Sequence, residues 1–180
     1  SKGIITKEVF TDGKIDFTFA FPTAYTTGNL WLKFEIASAD PSTRPMGGLV
    51  LYLIRRADGE LRTAIYDYIA SKIVKYGPIM AMGIGENVRV TIIKNANQFE
   101  VYFNGLLIIS TTYSNYVPSG VGFRIYSDEG YTGDREVIIK DFTIAPSESY
   151  ADDFTTDTVT GANGRYVATT YKGVDASESI

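Results

Sequence analysis

Cysteine and histidine are both absent from the 180 residues. Their absence excludes disulfides, Cys/His ligation of zinc or haem, and every catalytic dyad or triad built on imidazole or thiol. A basic excess is missing too. The 17 Lys and Arg stand against 21 Asp and Glu, a net charge of −4, which argues against a nucleic-acid partner held through phosphates. No run approaches the roughly 18 to 20 apolar residues of a membrane-spanning helix, and residues 1–6 show no signal-peptide pattern. These absences leave carboxylate chemistry, oxygen-ligated cations and recognition through aromatics. The last is well supplied, with 13 Tyr, 10 Phe and one Trp. The length suits one domain with a sizeable core, plus at most a short appendage.

What is present is alternation. Ile15, Phe17, Phe19 and Phe21 alternate with Lys14, Asp16, Thr18 and Ala20, and Leu30, Leu32, Phe34 and Ile36 alternate with Trp31, Lys33 and Glu35. The same period of two recurs at Val88, Val90, Ile92 and at Phe99, Val101, Phe103. Such segments are antiparallel strands with one face in a core and the other toward water. Turn residues agree. Asn104-Gly105 between residues 99–103 and 106–111 is a strong hairpin signal, because both central positions of that turn take positive φ. Asp58-Gly59 after Leu49–Arg56 and Asn95-Ala96-Asn97 before Phe99 predict two more hairpins, with further strands at 121–126 and 136–144. Many short strands at this spacing predict an all-β, antiparallel two-sheet sandwich or barrel. Residues 61–76 carry two patterns. Leu61, Ile65, Tyr68, Ile69, Ile73 and Tyr76 fit helical spacing, with Asp58 as cap and Gly77-Pro78 as stop. Their neighbours and Asp58-Gly59 favour two strands.

From Phe10 to Ile144 the order of features resembles the concanavalin A-like lectin/glucanase jelly roll, in particular its laminin-G-like and carbohydrate-binding branches. The residues that carry the resemblance are Phe10-Thr11-Asp12-Gly13-Lys14-Ile15, Gly48-Leu49-Val50-Leu51-Tyr52, Asn87-Val88-Arg89-Val90-Thr91-Ile92, residues 99–105, Ser119-Gly120-Val121-Gly122-Phe123-Arg124 and Ile139-Lys140-Asp141-Phe142-Thr143-Ile144. It implies a jelly-roll sandwich over residues 1–146 and leaves the ligand open, since one fold hosts many functions. Members often open on an Asp-Asp-Phe strand. Here Asp152-Asp153-Phe154 comes after the closing strand, followed by Gly164-Arg165-Tyr166-Val167-Ala168-Thr169. Residues 147–171 are therefore read as a detached strand segment with three outcomes: a permuted domain completed by its own tail, strand exchange with a neighbour in a homo-oligomer, or a solvated tail. Residues 172–180 read as a disordered tail.

Glycosidases of this fold carry a Glu-x-Asp-x-x-Glu or Glu-x-Asp-x-Glu string, and this chain has none. The nearest approach is Asp134-Arg135-Glu136, where Arg135 and Lys140 favour ionised carboxylates rather than the proton-bearing acid that glycoside hydrolysis needs. The chain is therefore expected not to be an enzyme. The resemblance also implies a structural calcium shared by Asp141 with Asp152 or Asp153, if the tail folds back; solvated acidic turns are the plainer reading. A second acidic loop, Asp128-Glu129-Gly130 with Asp134, invites the same pair of readings.

Aromatics out of phase with the core supply the candidate ligand site. Trp31, Tyr102, Arg124 and Tyr126 fall opposite their strands' apolar sets and would share one outer face if those strands share a sheet, with Tyr113 and Tyr116 in the adjoining loop. Flat rings stack on sugar faces, and the same residue types concentrate at protein interfaces. The expected function is a non-catalytic binding module for glycans or a surface protein, at an extracellular, cell or virion surface. The alternative is a structural virion or surface-array protein that uses the sandwich for assembly.

Overall fold

A computed structural model describes residues 2–38, 48–145, 150–152 and 166–170. Among them are fourteen strands and no helix: β1 (Lys2–Thr6), β2 (Gly13–Ala20), β3 (Asn29–Ser38), β4 (Leu49–Arg56), β5 (Glu60–Asp67), β6 (Lys72–Tyr76), β7 (Met80–Ala81), β8 (Val88–Asn95), β9 (Gln98–Phe103), β10 (Leu106–Thr112), β11 (Gly120–Ser127), β12 (Ile138–Ala145), β13 (Tyr150–Asp152) and β14 (Tyr166–Thr170). The described strands form two antiparallel sheets. The eight-stranded sheet runs β14-β1-β11-β3-β4-β5-β6, with β7 also on β5, and the six-stranded sheet runs β10-β9-β8-β2-β12-β13.

The alternation read from the sequence sets which side chains enter the sandwich. Phe17 of β2 and Phe142 of β12 come from the six-stranded sheet, Phe34 of β3 and Phe123 of β11 from the eight-stranded one. Phe123 lies 5.0 Å from Phe17, 5.0 Å from Phe34 and 5.1 Å from Phe142 between ring centres. Full burial of each such side chain contributes about 1.5–3 kcal/mol. The turns behave as their residues require. Asn104 and Gly105 have φ of 49° and 82°, the left-handed pair of a two-residue hairpin, and Ala96 takes φ 51° in the β8–β9 turn.

Residues 61–76 form β5 and β6 rather than a helix, and β5 pairs with β4 from Leu61 to Asp67. Pairing with that neighbour overrides the helical spacing. β12 starts at Ile138, two residues later than the alternation suggests, because Glu136 N donates to Asp134 O in a turn. At the chain's end β13 pairs with β12 and β14 pairs with β1 of the same chain. Asp153, Phe154 and the rest of 153–165 lie outside the described residues, as do 171–180.

β1 reaches its place because β11 presents glycines to it. A Cβ on Gly122 would stand 2.0 Å from Ile4 O, and one on Gly120 would stand 2.2 Å from Thr6 O. Only a residue without a side chain allows that approach.

Candidate functional site

The outer face of the eight-stranded sheet is not a water-facing surface. Trp31, Lys33 and Glu35 leave β3 on this face, and they are 3%, 1% and 5% exposed. Across the ladder Trp31 sits opposite Ile54 of β4 and Tyr126 of β11, and Lys33 opposite Tyr52 and Arg124. Val50 of β4 faces Tyr66 of β5. Trp31, Val50, Tyr52, Ile54 and Tyr66 form a second buried cluster, rimmed by the half-buried Tyr68, Ile73 and Tyr126. Every residue from Leu49 to Arg55 is buried, the sign of a strand covered on both faces. The unbroken apolar run Leu49–Ile54 is also the sequence signal that could have revealed Tyr52 and the second cluster.

The cluster is built of rings around charge. Tyr52 and Tyr66 stack with centres 5.3 Å apart at 23°, while Trp31 meets Tyr52 and Tyr126 edge to face at 5.2 and 5.5 Å. The Lys33 ammonium lies 4.5 Å from the Tyr126 ring centre, 5.4 Å from Trp31 and 5.6 Å from Tyr52, and donates to Tyr68 Oη at 3.4 Å. Beside it Arg124 Nη2 and Glu35 Oε1 form a buried ion pair at 3.0 Å. Trp31 Nε1 is buried and has no hydrogen-bond acceptor. The side chains thus offer ring faces, an ion pair and an unspent indole donor, and among the described residues of this face there is no nucleophile–base pair.

The six residues expected to meet a ligand fall in three places. Trp31, Arg124 and Tyr126 do share this outer face, although Trp31 and Arg124 are buried rather than exposed. The expectation that Tyr102 joins them does not hold. It stands on β9 in the other sheet, because sheet membership follows long-range pairing that alternation does not encode. There it donates to Glu100 Oε2 at 2.8 Å, and that carboxylate raises its pKa above 10.0. The same outer face carries Asp16, which accepts from Arg89 Nη2 at 3.0 Å and from Thr91 Oγ1 at 2.5 Å.

Tyr113 and Tyr116 point into the end of the sandwich. The Tyr116 hydroxyl lies 2.8 Å from Phe10 O and 3.1 Å from Ile36 O, and burial pushes its pKa well up. Burial and a hydrogen bond to Asp67 push Tyr113 up to about 12.

Of the residues expected to ligate calcium, Asp141 is exposed and sits at a bulge of β12 with φ 57°. Asp152 pairs with its neighbour Phe142, and Asp153 lies outside the described residues. Among the described residues no group of three or more Asp and Glu is gathered to hold a metal ion. Asp134 and Glu136 are exposed in the turn before β12. No helix among the described residues is long and apolar enough to cross a membrane.

No protein-family model matches the sequence, and no curated protein matches it. The fold, with its two sheets in this strand order, does match solved structures. LamA from Z. galactanivorans, solved in complex with laminaritriose and laminaritetraose, aligns at a TM-score of 0.52 and 14% identity. The alignment covers 76% of this chain and 65% of that one. The chain has the concanavalin A-like jelly-roll fold. The carbohydrate binding module CBM66 from Bacillus subtilis aligns at 0.49 and 11% identity over 76% of this chain and 80% of its own. A Bacillus licheniformis beta-glucanase aligns at 0.49 and 10% over 68% and 56%. The fold by itself does not decide what the chain does. Nothing in these comparisons supports a virion or array brick.

Proposed function

We propose that this chain is a non-catalytic glycan-binding module of a cell or extracellular surface, and that its site is the outer face of the eight-stranded sheet around Trp31 and Tyr126. The observation that carries the reading is the Trp31 indole N–H, buried among rings with no acceptor. An unmet buried donor costs about 1–3 kcal/mol and is rare in folded proteins. A sugar hydroxyl supplies the acceptor, and the half-buried rings of Tyr68 and Tyr126 supply the faces on which a pyranose stacks. Glycan chemistry also suits the absence of a basic excess noted above.

Binding without cleavage is favoured because carboxylates on the two sheet faces are already engaged. Glu35 is paired with Arg124, Asp16 with Arg89 and Lys14, and Glu100 accepts from Tyr102. Glycoside hydrolysis needs two carboxyls across one substrate, one of them able to give up a proton.

A glycan array probed with the full chain, beside Trp31→Phe and Tyr126→Ala, tests this. The panel includes laminaritriose and longer β-glucans. We expect at least one glycan to be retained, with retention lost in Trp31→Phe, which keeps an aromatic ring and removes the N–H. Retention of no glycan, or equal retention by both variants, overturns the assignment. New reducing ends released from the retained glycan overturn the non-catalytic part alone.

A further inference from the structure

A concavity lies where β6 and the end of β10, edge strands of the two sheets, come together. It has a volume of about 320 Å³ and is walled by the β5–β6 hairpin and the loop after β10. Its lining includes Asp67, Lys72, Ile73, Tyr113, Ser114 and Asn115. Asp67 is 3% exposed. Its Oδ1 accepts from Ile69 N at 2.8 Å and Ala70 N at 3.0 Å, which fixes the hairpin turn, and the carboxylate also receives the Tyr113 hydroxyl. The Tyr113 hydroxyl proton is thereby committed to Asp67. Lys72 stands directly opposite Asp67 in the ladder and is exposed at the rim.

We propose that this pocket binds one neutral sugar residue through its hydroxyl groups. A carboxylate that is buried beside open space favours hydrogen-bond donors, and it opposes an anion. The ammonium at the rim favours acceptors and opposes a cation. A hydroxyl is both donor and acceptor, so a polyol satisfies the two at once where a charged ligand satisfies only one. Asn115 and Ser114 add the same mixed capacity, and Ile73 gives an apolar wall for the sugar's C–H face. The volume lies at the lower end of small-ligand pockets, which fits a single ring and not a peptide. This site is distinct from the sheet-face site, for the two meet only at Ile73, which rims the one and lines the other.

The test is an NMR titration of the isotope-labelled full chain with the methyl pyranosides of glucose, galactose, mannose and xylose, beside glucuronate and glucosamine. A neutral sugar is expected to shift the amides of Ser114 and Asn115 and those of the Ile69–Ala70 turn along one saturable curve. Asp67→Asn and Asn115→Ala are expected to weaken that binding about tenfold or more. Ser114→Trp changes an exposed loop position and leaves the Asp67 carboxylate and its bonds to the turn in place, so it is expected to abolish the shifts by filling the pocket even if Asp67→Asn loosens the hairpin. Absence of saturable shifts at these amides for every neutral sugar overturns the proposal, as does binding of glucuronate or glucosamine alone. A response confined to the Trp31 indole N–H overturns the pocket and leaves the sheet-face site standing; the reverse pattern separates them the other way.

Discussion

The Lys33 ammonium lies 4.5 Å from the centre of the Tyr126 ring, on the face of the eight-stranded sheet that points away from the sandwich core. A lysine that is 1% exposed on an outer sheet face is unusual, because such faces ordinarily carry solvated charge. Here its stem fills space among Trp31, Tyr52 and Tyr126 while its head meets their π faces. The sheet is therefore buried on both sides along β3 and β4. Its second side is where ring faces, an ion pair and an unmet indole donor come together.

Lys33 should act on stability through its stem more than through its charge. Lys33→Ala removes both and leaves a cavity among the rings, with an expected loss of about 2–4 kcal/mol. Lys33→Met keeps most of the volume and forfeits the cation–π attraction, with an expected loss of about 1 kcal/mol. Urea denaturation of the two variants checks the order. Equal losses would assign the contribution to the ammonium instead.

The Glu35–Arg124 pair at 3.0 Å is buried at both ends. Removing one partner leaves a buried charge, so Glu35→Gln is expected to cost about 3–5 kcal/mol. Replacing both with residues of similar volume, Glu35→Met with Arg124→Met, should cost much less than the two single changes added together. A double-mutant cycle in denaturant reads the coupling. Additive losses would mean that the two charges are compensated by other groups.

Gly122 allows β1 to lie against β11, since a Cβ there would meet Ile4 O at 2.0 Å and Ile5 Cα at 2.7 Å. Gly122→Ala should therefore release β1, and with it the β14 strand that pairs only onto β1 among the described residues. Hydrogen exchange should show lost protection in residues 2–6 and 166–170, while β8 and β9 in the other sheet stay protected. Unchanged protection in residues 2–6 would contradict this account of the glycine.

Much of the fold was legible because it is local. Period-two alternation marked β2, β3, β8 and β9, and Asn104-Gly105 marked its hairpin through the positive φ both residues adopt. What was not legible depends on pairings between distant segments. Tyr102 and Trp31 look alike in sequence, each out of phase with its strand, yet one lies on β9 in the six-stranded sheet and the other on β3 in the eight-stranded sheet. Alternation places Trp31 toward water and makes Lys33 and Glu35 ordinary polar alternates, because it reports two faces without saying what covers each. The Asp67–Tyr113 contact joins a strand end to a loop 46 positions later, and neither residue carries a local mark of it.

The phenols of Tyr113 and Tyr116 give the fold an alkaline limit. Both are raised above the ordinary value of 10.0, Tyr113 to about 12 by burial first and by its hydrogen bond to Asp67 second, and Tyr116 further by burial. In the unfolded chain they lose their protons near pH 10, and in the folded chain only above that. The unfolded state thus binds fewer protons in this window, so stability falls as pH rises through it. Their contribution is fully present below pH 10 and is lost progressively toward pH 12. Denaturant midpoints measured from pH 7 to pH 12 should hold steady at first and then drop. Tyr113→Phe should lower stability at pH 7 by about 1.5–3 kcal/mol, the range for a hydrogen bond to a charged acceptor. The same variant should also flatten the alkaline drop, so that the two curves converge as pH rises. Curves that stay parallel up to pH 12 would show that Tyr113 titrates alike in the folded and unfolded chain, and that its bond to Asp67 does not hold the proton.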